Sequence, residues 1–215
     1  MPRVLVTGAN RGIGLEFARQ YAAEGWDVIA TTRSDAPGLE RLGVRVEMLD
    51  MRDFAALEAF PGRLGGATLD VFVANAGMTA GRRIDSAAEA QAALEVLAVN
   101  AVAPTLLARA LARNLAGGRM AAITSRMGSI ADSSGGHLGY RASKAALNAA
   151  WYALSRDIEV PLVLIHPGWV KTDMGGPGAQ IAPAESVAGM RRIIDGLTPA
   201  RSGAFLDFRG DPISW

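Results

Sequence analysis

Apolar residues in this chain come in short runs separated by stretches of helical spacing. "RVLVTG" is followed by "GLEFARQYAAEG", "DVIATT" and "VRVEML" precede "DFAALEAF", and "TLDVFVANAG" precedes a long helical tract from about Ala87 to Leu115. "RMAAIT" then leads into a helix beginning near Tyr140, "VPLVLIHPG" into a helix near "AESVAGMRRIIDGL", and "GAFLDF" is the last run. The short runs are rich in β-branched residues or end at turn formers, as strands are. Parallel strands need long crossovers, so this alternation predicts an α/β fold: a Rossmann-type, doubly wound parallel sheet with helices on both faces. No compositional break marks a linker, which predicts one domain over residues 1–215.

In such sheets ligands bind beyond the carboxyl ends of the strands, so candidate chemistry belongs just after each apolar run. The first run ends in "TGANRGIG", with Gly8, Gly12 and Gly14 ahead of a helical segment. Glycines there permit a tight turn and let a pyrophosphate approach the helix amino end. The second run ends at Arg33, where a guanidinium suits the 2′-phosphate of NADP, and Arg11 in the glycine turn offers a second cation. NADP(H) is therefore favoured over NAD(H), although Asp35 lies close by and a solvated Arg33 is the bland alternative.

After the third run, Asp50 is placed either to accept from an adenine amino group or to shape the turn before a helix capped by Asp53. Asn75, Ala76 and Gly77 follow the fourth run as turn residues or as cofactor contacts. Asn100 is an amide inside an apolar helical pattern, where it must find partners near a site or at a kink associated with Pro104. The fifth run opens into "ITSRMGS", with hydroxyls at Thr124, Ser125 and Ser129. Tyr140 stands four residues before Lys144, which puts phenol and ammonium on one helical face. A phenol titrates near pH ~10, and a neighbouring cation would favour its ionised form.

Composition narrows the field. A net charge of +1 gives no case for nucleic acid or an anionic membrane surface. There is no cysteine, and His137 and His166 form no ligand motif, so no metal centre is expected; His166 is read as structural. "MPRVLVTG" has no secretory core, and the most apolar window is interrupted by Glu95, Asn100, Pro104 and Arg109; a cytoplasmic protein is expected.

Taken in order, "TGANRGIG", "NAG", Asn100, Ser125, "YRASK" and "HPGWVKT" resemble the short-chain dehydrogenase/reductase family along nearly the whole chain, and its compact C-factor and sniffer-like carbonyl reductases in particular. The resemblance implies an NADPH-dependent enzyme that reduces a small ketone or aldehyde, reversibly, with a C-factor-like signalling protein of little turnover as the alternative. It implies that Gly8, Asn10, Arg11, Gly12, Ile13 and Gly14 cradle the pyrophosphate end, with Arg11 and Arg33 on the 2′-phosphate. Asp50, Met51, Asn75, Ala76 and Gly77 would border the adenosine half, and Pro167, Gly168, Val170 and Thr172 the nicotinamide.

Tyr140 would be the general acid/base, Ser125 would hold the substrate oxygen, Lys144 would contact the nicotinamide ribose and lower the phenol pKa, and Asn100 would hold a relay water. The loop between Ser125 and Tyr140 is about two residues longer than in the family, which keeps Ser129 as an alternative to Ser125. The segment after Thr172 is brief, implying an open substrate pocket bordered by Met78, Met127, His137, Leu138 and Trp169. Surplus apolar positions on the helices near 90–115 and 140–155 predict a homodimer or homotetramer.

Overall fold

The computed structural model describes residues 1–215. Its seven strands are β1 (Arg3–Val6), β2 (Asp27–Thr32), β3 (Arg45–Met48), β4 (Val71–Ala74), β5 (Arg119–Ile123), β6 (Leu162–His166) and β7 (Ala204–Asp207). They form one sheet in the order β3-β2-β1-β4-β5-β6-β7, every pairing parallel. This is the doubly wound arrangement that the alternation predicts. The order reverses between β1 and β4, which opens a crevice beyond their carboxyl ends.

The helices are α1 (Gly12–Ala23), α2 (Pro37–Glu40), α3 (Phe54–Arg63), α4 (Ala87–Leu97), α5 (Ala103–Leu111), α6 (Leu138–Asp157) and α7 (Pro183–Asp195). Side chains alternate across the strands and divide the core in two. Leu5, Phe72, Met120 and Leu164 face a layer that includes Leu57, Leu107 and Trp151 from α3, α5 and α6. Val4, Val6, Val73 and Val163 face Phe17, Tyr21, Val187 and Met190 from α1 and α7. Because both faces are covered, the inner strands read as continuous apolar runs. Edge strand β3 is instead exposed along most of its length and carries Arg45 and Glu47, charges that discourage pairing with another chain.

Asp53 caps α3 as expected, its Oδ1 accepting from the Ala56 amide at 2.9 Å. The expected tract from Ala87 to Leu115 departs from a plain helix. A π-helical turn, Ala98–Val102, interrupts it with Asn100 at the centre, while Pro104 enters smoothly at the start of α5. The amide, rather than the proline, marks the irregularity. This tract is long and apolar enough to cross a membrane, but half of its most apolar part is buried inside the protein, where α4 packs on α6 and α5 on α3.

Helix α6 buries a stripe of two characters: Ser143, Lys144 and Asn148 toward its start, and Leu147, Trp151 and Leu154 toward its end. Trp151 is fully buried, and an aromatic side chain so placed contributes roughly 1.5–3 kcal/mol. The apolar half seats the helix. The polar half is thereby held at the crevice.

Candidate active site

The glycine turn between β1 and α1 is shaped by main-chain demands. Gly8 and Gly12 have φ of +63° and +57°, the left-handed region open chiefly to glycine. At Gly14, which lies beneath the turn, a Cβ would overlap the Gly8 carbonyl oxygen and come within 2.5 Å of Asn75 Nδ2. Asn75 explains the tight fit: its Nδ2 donates to the carbonyls of Thr7 and Gly8 at 2.9 and 3.0 Å. In return, Thr7 Oγ1 accepts from the amides of Asn75 and Ala76 at 3.1 Å. The "NAG" segment thus ties the end of β4 to the end of β1.

Helix α1 starts with no capping side chain and no acidic residue in its first turn. Orphan amides and the positive end of the helix dipole therefore face the crevice, a fit for the pyrophosphate of a dinucleotide. The cavity has a volume of about 780 Å3. Asn10, Arg11, Gly12 and Ile13 line it from the turn, Arg33 from the end of β2, Asp50 and Met51 from the end of β3, and Asn75 to Met78 from the end of β4. Tyr140 and Lys144 reach it from α6, and Pro167 and Thr172 from the segment after β6.

Arg33 is exposed, makes no hydrogen bond, and its charge helps hold the Asp50 carboxyl below the ordinary range, after the larger effect of Arg52. Arg11 forms an ion pair with Asp173 across the crevice. Beside it, Thr172 Cγ2 would lie 3.2 Å from a Cβ on Gly12. The segment after β6 therefore closes against the glycine turn.

At the other end of the cavity, Lys144 is almost wholly buried and donates from Nζ to the Ile123 carbonyl at 2.8 Å. Burial pulls its pKa down to about 8. Its Nζ sits 5.8 Å from the centre of the Tyr140 ring. Burial pushes the Tyr140 phenol above its ordinary value, with the neighbouring Ser125 hydroxyl acting in the other direction. The expected lowering by the Lys144 ammonium gives way here to desolvation.

Ser125 is buried at the end of β5 and its Oγ accepts from the Met127 amide at 3.1 Å. Ser129 is also buried, but its Oγ accepts from the Asp132 amide, and no contact relates it to the phenol. Asn100 lies behind the cavity wall: Oδ1 accepts from the Met78 amide at 2.8 Å, while Nδ2 donates to the Met78 carbonyl at 2.8 Å and to Ser143 Oγ at 3.0 Å. Both amide protons are committed, so the side chain chiefly clamps the loop after β4 onto α6.

Gly168 and Val170 support the wall from behind. Gly168 has φ +81° and packs against Ile181 and Phe208, and Val170 bridges to Ile181. Met78 lines the cavity, whereas Met127, His137 and Trp169 stand outside its wall. His166 is half-buried and its buried Nδ1 has no partner; burial, then the charge of Arg126, pulls its pKa down to about 4, which keeps it neutral at physiological pH.

Three positioning groups escaped the sequence reading. Thr7 holds the "NAG" amides, Ser143 receives Asn100, and Asn148 Oδ1 accepts from Thr124 Oγ1 at 2.6 Å. Asn148 carried a readable signal: with Tyr140 and Lys144 it continues a four-residue spacing of polar groups along α6.

This is the layout of a dinucleotide-dependent oxidoreductase: a glycine turn at one end of a crevice, and at the other a half-buried phenol and a buried lysine, with a buried serine beside the phenol. A family profile described as "short chain dehydrogenase" matches residues 2–180, and the chain belongs to the short-chain dehydrogenase family. Among its relatives, the C-signal of Myxococcus xanthus is 41% identical over 170 residues, covering 74% of this chain and all of that protein. The carbonyl reductase Sniffer of D. melanogaster superposes with a TM-score of 0.89 at 30% identity, and each chain is covered in full. A carbonyl reductase from Pseudomonas aeruginosa PAO1, solved in complex with NADP, does so with a TM-score of 0.85 at 35% identity, again over the whole of both chains.

Proposed function

We propose that this protein is an NADPH-dependent reductase of small ketones or aldehydes, working reversibly as an alcohol dehydrogenase. The observation that carries the reading is that Tyr140 and Lys144 line the same cavity that begins at the glycine turn. Reductases solved with NADP, such as that of Pseudomonas aeruginosa, support NADP(H) over NAD(H), and Arg33, free of any protein partner, is the group proposed to receive the 2′-phosphate. Arg11 joins it by exchanging Asp173 for phosphate.

NADPH supplies the hydride. The proton work falls to the chain. Ser125 Oγ, with a lone pair engaged by the Met127 amide, keeps its own proton to donate to the substrate oxygen. Tyr140, kept protonated by its burial, passes its proton to the alkoxide that forms and takes it back in the oxidative direction. Lys144 holds its place through the Ile123 carbonyl and presents its remaining donors toward the ribose and the phenol. Asn100, with its amide protons spent on Met78 and Ser143, keeps a lone pair of Oδ1 for a relay water. Met78 borders the carbonyl's substituents.

We further propose a single domain over residues 1–215 in a cytoplasmic setting, with the apolar tract from Ala87 spent on the core. Leu94, Val102 and Tyr152 are 59%, 47% and 43% exposed on α4, the π-helical turn and α6, and these apolar side chains support a homodimer or homotetramer assembled through those helices.

The test is substrate-dependent oxidation of NADPH across a panel of small carbonyls, set beside Tyr140→Phe. The variant is expected to lose about a thousandfold or more in kcat, while its Kd for NADPH stays within about twofold of the wild type. Retained turnover in Tyr140→Phe would overturn the assignment. A signalling protein without turnover would consume no NADPH with any carbonyl; the full set of hydroxyl, phenol and ammonium beside one cavity favours the enzyme.

A further inference from the structure

The stretch between Ser125 and Tyr140 is an exposed excursion with no strand or long helix of its own, yet it begins at one reacting hydroxyl and ends at the other. Arg126 pairs with Asp132 within it at 3.2 Å, and a second guanidinium joins its two ends. Arg141, the residue directly after Tyr140, donates from Nε to the carbonyls of Gly135 and Gly136 at 3.2 and 3.1 Å, and from Nη2 to Ser134 Oγ at 3.0 Å. Its Nη1 meets the Met127 carbonyl at 3.5 Å, the longest of the four contacts. A single side chain therefore gathers the end of the loop and touches its start. None of its partners is a carboxylate, so a cation has been placed here for its fork of donors rather than for an ion pair.

The backbone is bent to suit that fork. Gly135, Gly136 and His137 have φ of +78°, +68° and +51°, three left-handed residues in succession, and His137 is the chain's one non-glycine residue with positive φ. This run brings two successive carbonyls to the guanidinium and delivers the chain to the first turn of α6, where His137 stands unaided by any capping side chain. At the other end, Met127 is held on both sides: its amide donates to Ser125 Oγ and its carbonyl receives Arg141.

We infer that Arg141 is the positioning residue that clasps the 127–137 loop shut and, through Met127, fixes the Ser125 hydroxyl over the carbonyl site. The inference rests on the proposed reductase reading for its kinetic consequence, but not for its structural one. A lysine keeps the charge but lacks the planar fork, so Arg141→Lys should fail to rescue what Arg141→Met loses.

The experiment compares the wild type with Arg141→Lys, Arg141→Met and the milder Ser134→Ala, each as the full chain. It reads KM and kcat for 4-nitrobenzaldehyde, the Kd of NADPH by its fluorescence, and amide hydrogen exchange over residues 129–137. Both Arg141 variants are expected to raise the aldehyde KM by about tenfold and to speed exchange in the loop, as befits loss of several charge-assisted hydrogen bonds. Their Kd for NADPH should stay within about twofold, and Ser134→Ala should move KM by about twofold in the same direction.

Wild-type loop exchange in both Arg141 variants overturns the inference. So does recovery of the wild-type KM in Arg141→Lys, or an equal weakening of aldehyde and NADPH, which would mean a helix loosened throughout. If an Arg141 variant does not fold, Ser134→Ala decides: unchanged exchange and KM overturn the clasp. Should the wild type reduce no aldehyde, the reductase reading falls, and the exchange measurement alone decides, faster loop exchange supporting the clasp and unchanged exchange overturning it.

Discussion

The two ends of the cavity are built on different terms. At the nucleotide end the wall is main chain packed on main chain: a Cβ on Gly8 would lie 2.8 Å from the Ala76 Cα, and Asn75 bonds directly to the Thr7 and Gly8 carbonyls. At the carbonyl end the nearby loops leave large side chains in the open, with Ile130, Trp169 and Met174 at 79%, 56% and 54% exposure. A backbone-defined wall admits one ligand shape. A wall of exposed side chains leaves the substrate to the loops, which is how one scaffold keeps its cofactor while its substrates vary.

The largest effect should come from breaking the rigid end. Gly14→Val forces a side chain into the Gly8 carbonyl and the Asn75 amide, and overpacking of this kind typically costs about 1–3 kcal/mol or more. We expect NADPH binding to weaken by more than about a hundredfold, read by fluorescence titration, together with a lower Tm. A Gly14→Val protein that bound NADPH normally would show that the turn yields and that the contrast between the ends is false.

A second test sharpens the assignment at the soft end. Ser125→Ala should lower kcat/KM by about a hundredfold, whereas Ser129→Ala, removing a hydroxyl tied to the Asp132 amide, should stay within about twofold. The reverse ranking would move the substrate oxygen to Ser129. It would also shift the reacting point further along the loop.

The smallest effect is graded with pH and turns on Lys144, whose pKa is about 8 in the folded protein against an ordinary 10.5. Its ammonium is present below about pH 8 and lost above, so kcat/KM should hold level below that point and decline by up to about tenfold per unit above it. Stability should follow the opposite course. Between about 8 and 10.5 the unfolded chain binds more protons at this lysine than the folded one, so its contribution to stability rises with pH. Activity and Tm profiles that moved together in that range would exclude Lys144 as the titrating group.

The order of strands and helices was legible because each buried strand is a continuous apolar run and each helix repeats its apolar face, signals local to a few residues. The glycine turn, "NAG" and the four-residue step from Tyr140 to Lys144 were legible for the same reason. What stayed hidden depends on distance in three dimensions. Spacing alone could not show that the Asn100 amide is spent on Met78 and Ser143, that Arg11 faces Asp173, or that Met127 and His137 lie outside the cavity wall. The π-helical turn at Asn100 was half visible, as an amide out of place in an apolar pattern, but the pattern left open whether a nearby site or a kink at Pro104 explained it. The Tyr140 shift, expected downward from the neighbouring ammonium, runs upward because burial, which sequence does not report, outweighs a charge whose Nζ is already occupied by the Ile123 carbonyl.

The divided stripe on α6 means that seating and reactivity share a single rod. Trp151 and Leu154 lock the rod's far half into the interior, and Tyr140 and Lys144 ride on its near half. Warmth or denaturant sufficient to unseat the indole should also misaim the phenol, so loss of activity is expected to coincide with melting, and refinement of substrate choice is left to the surface segments that α6 does not carry.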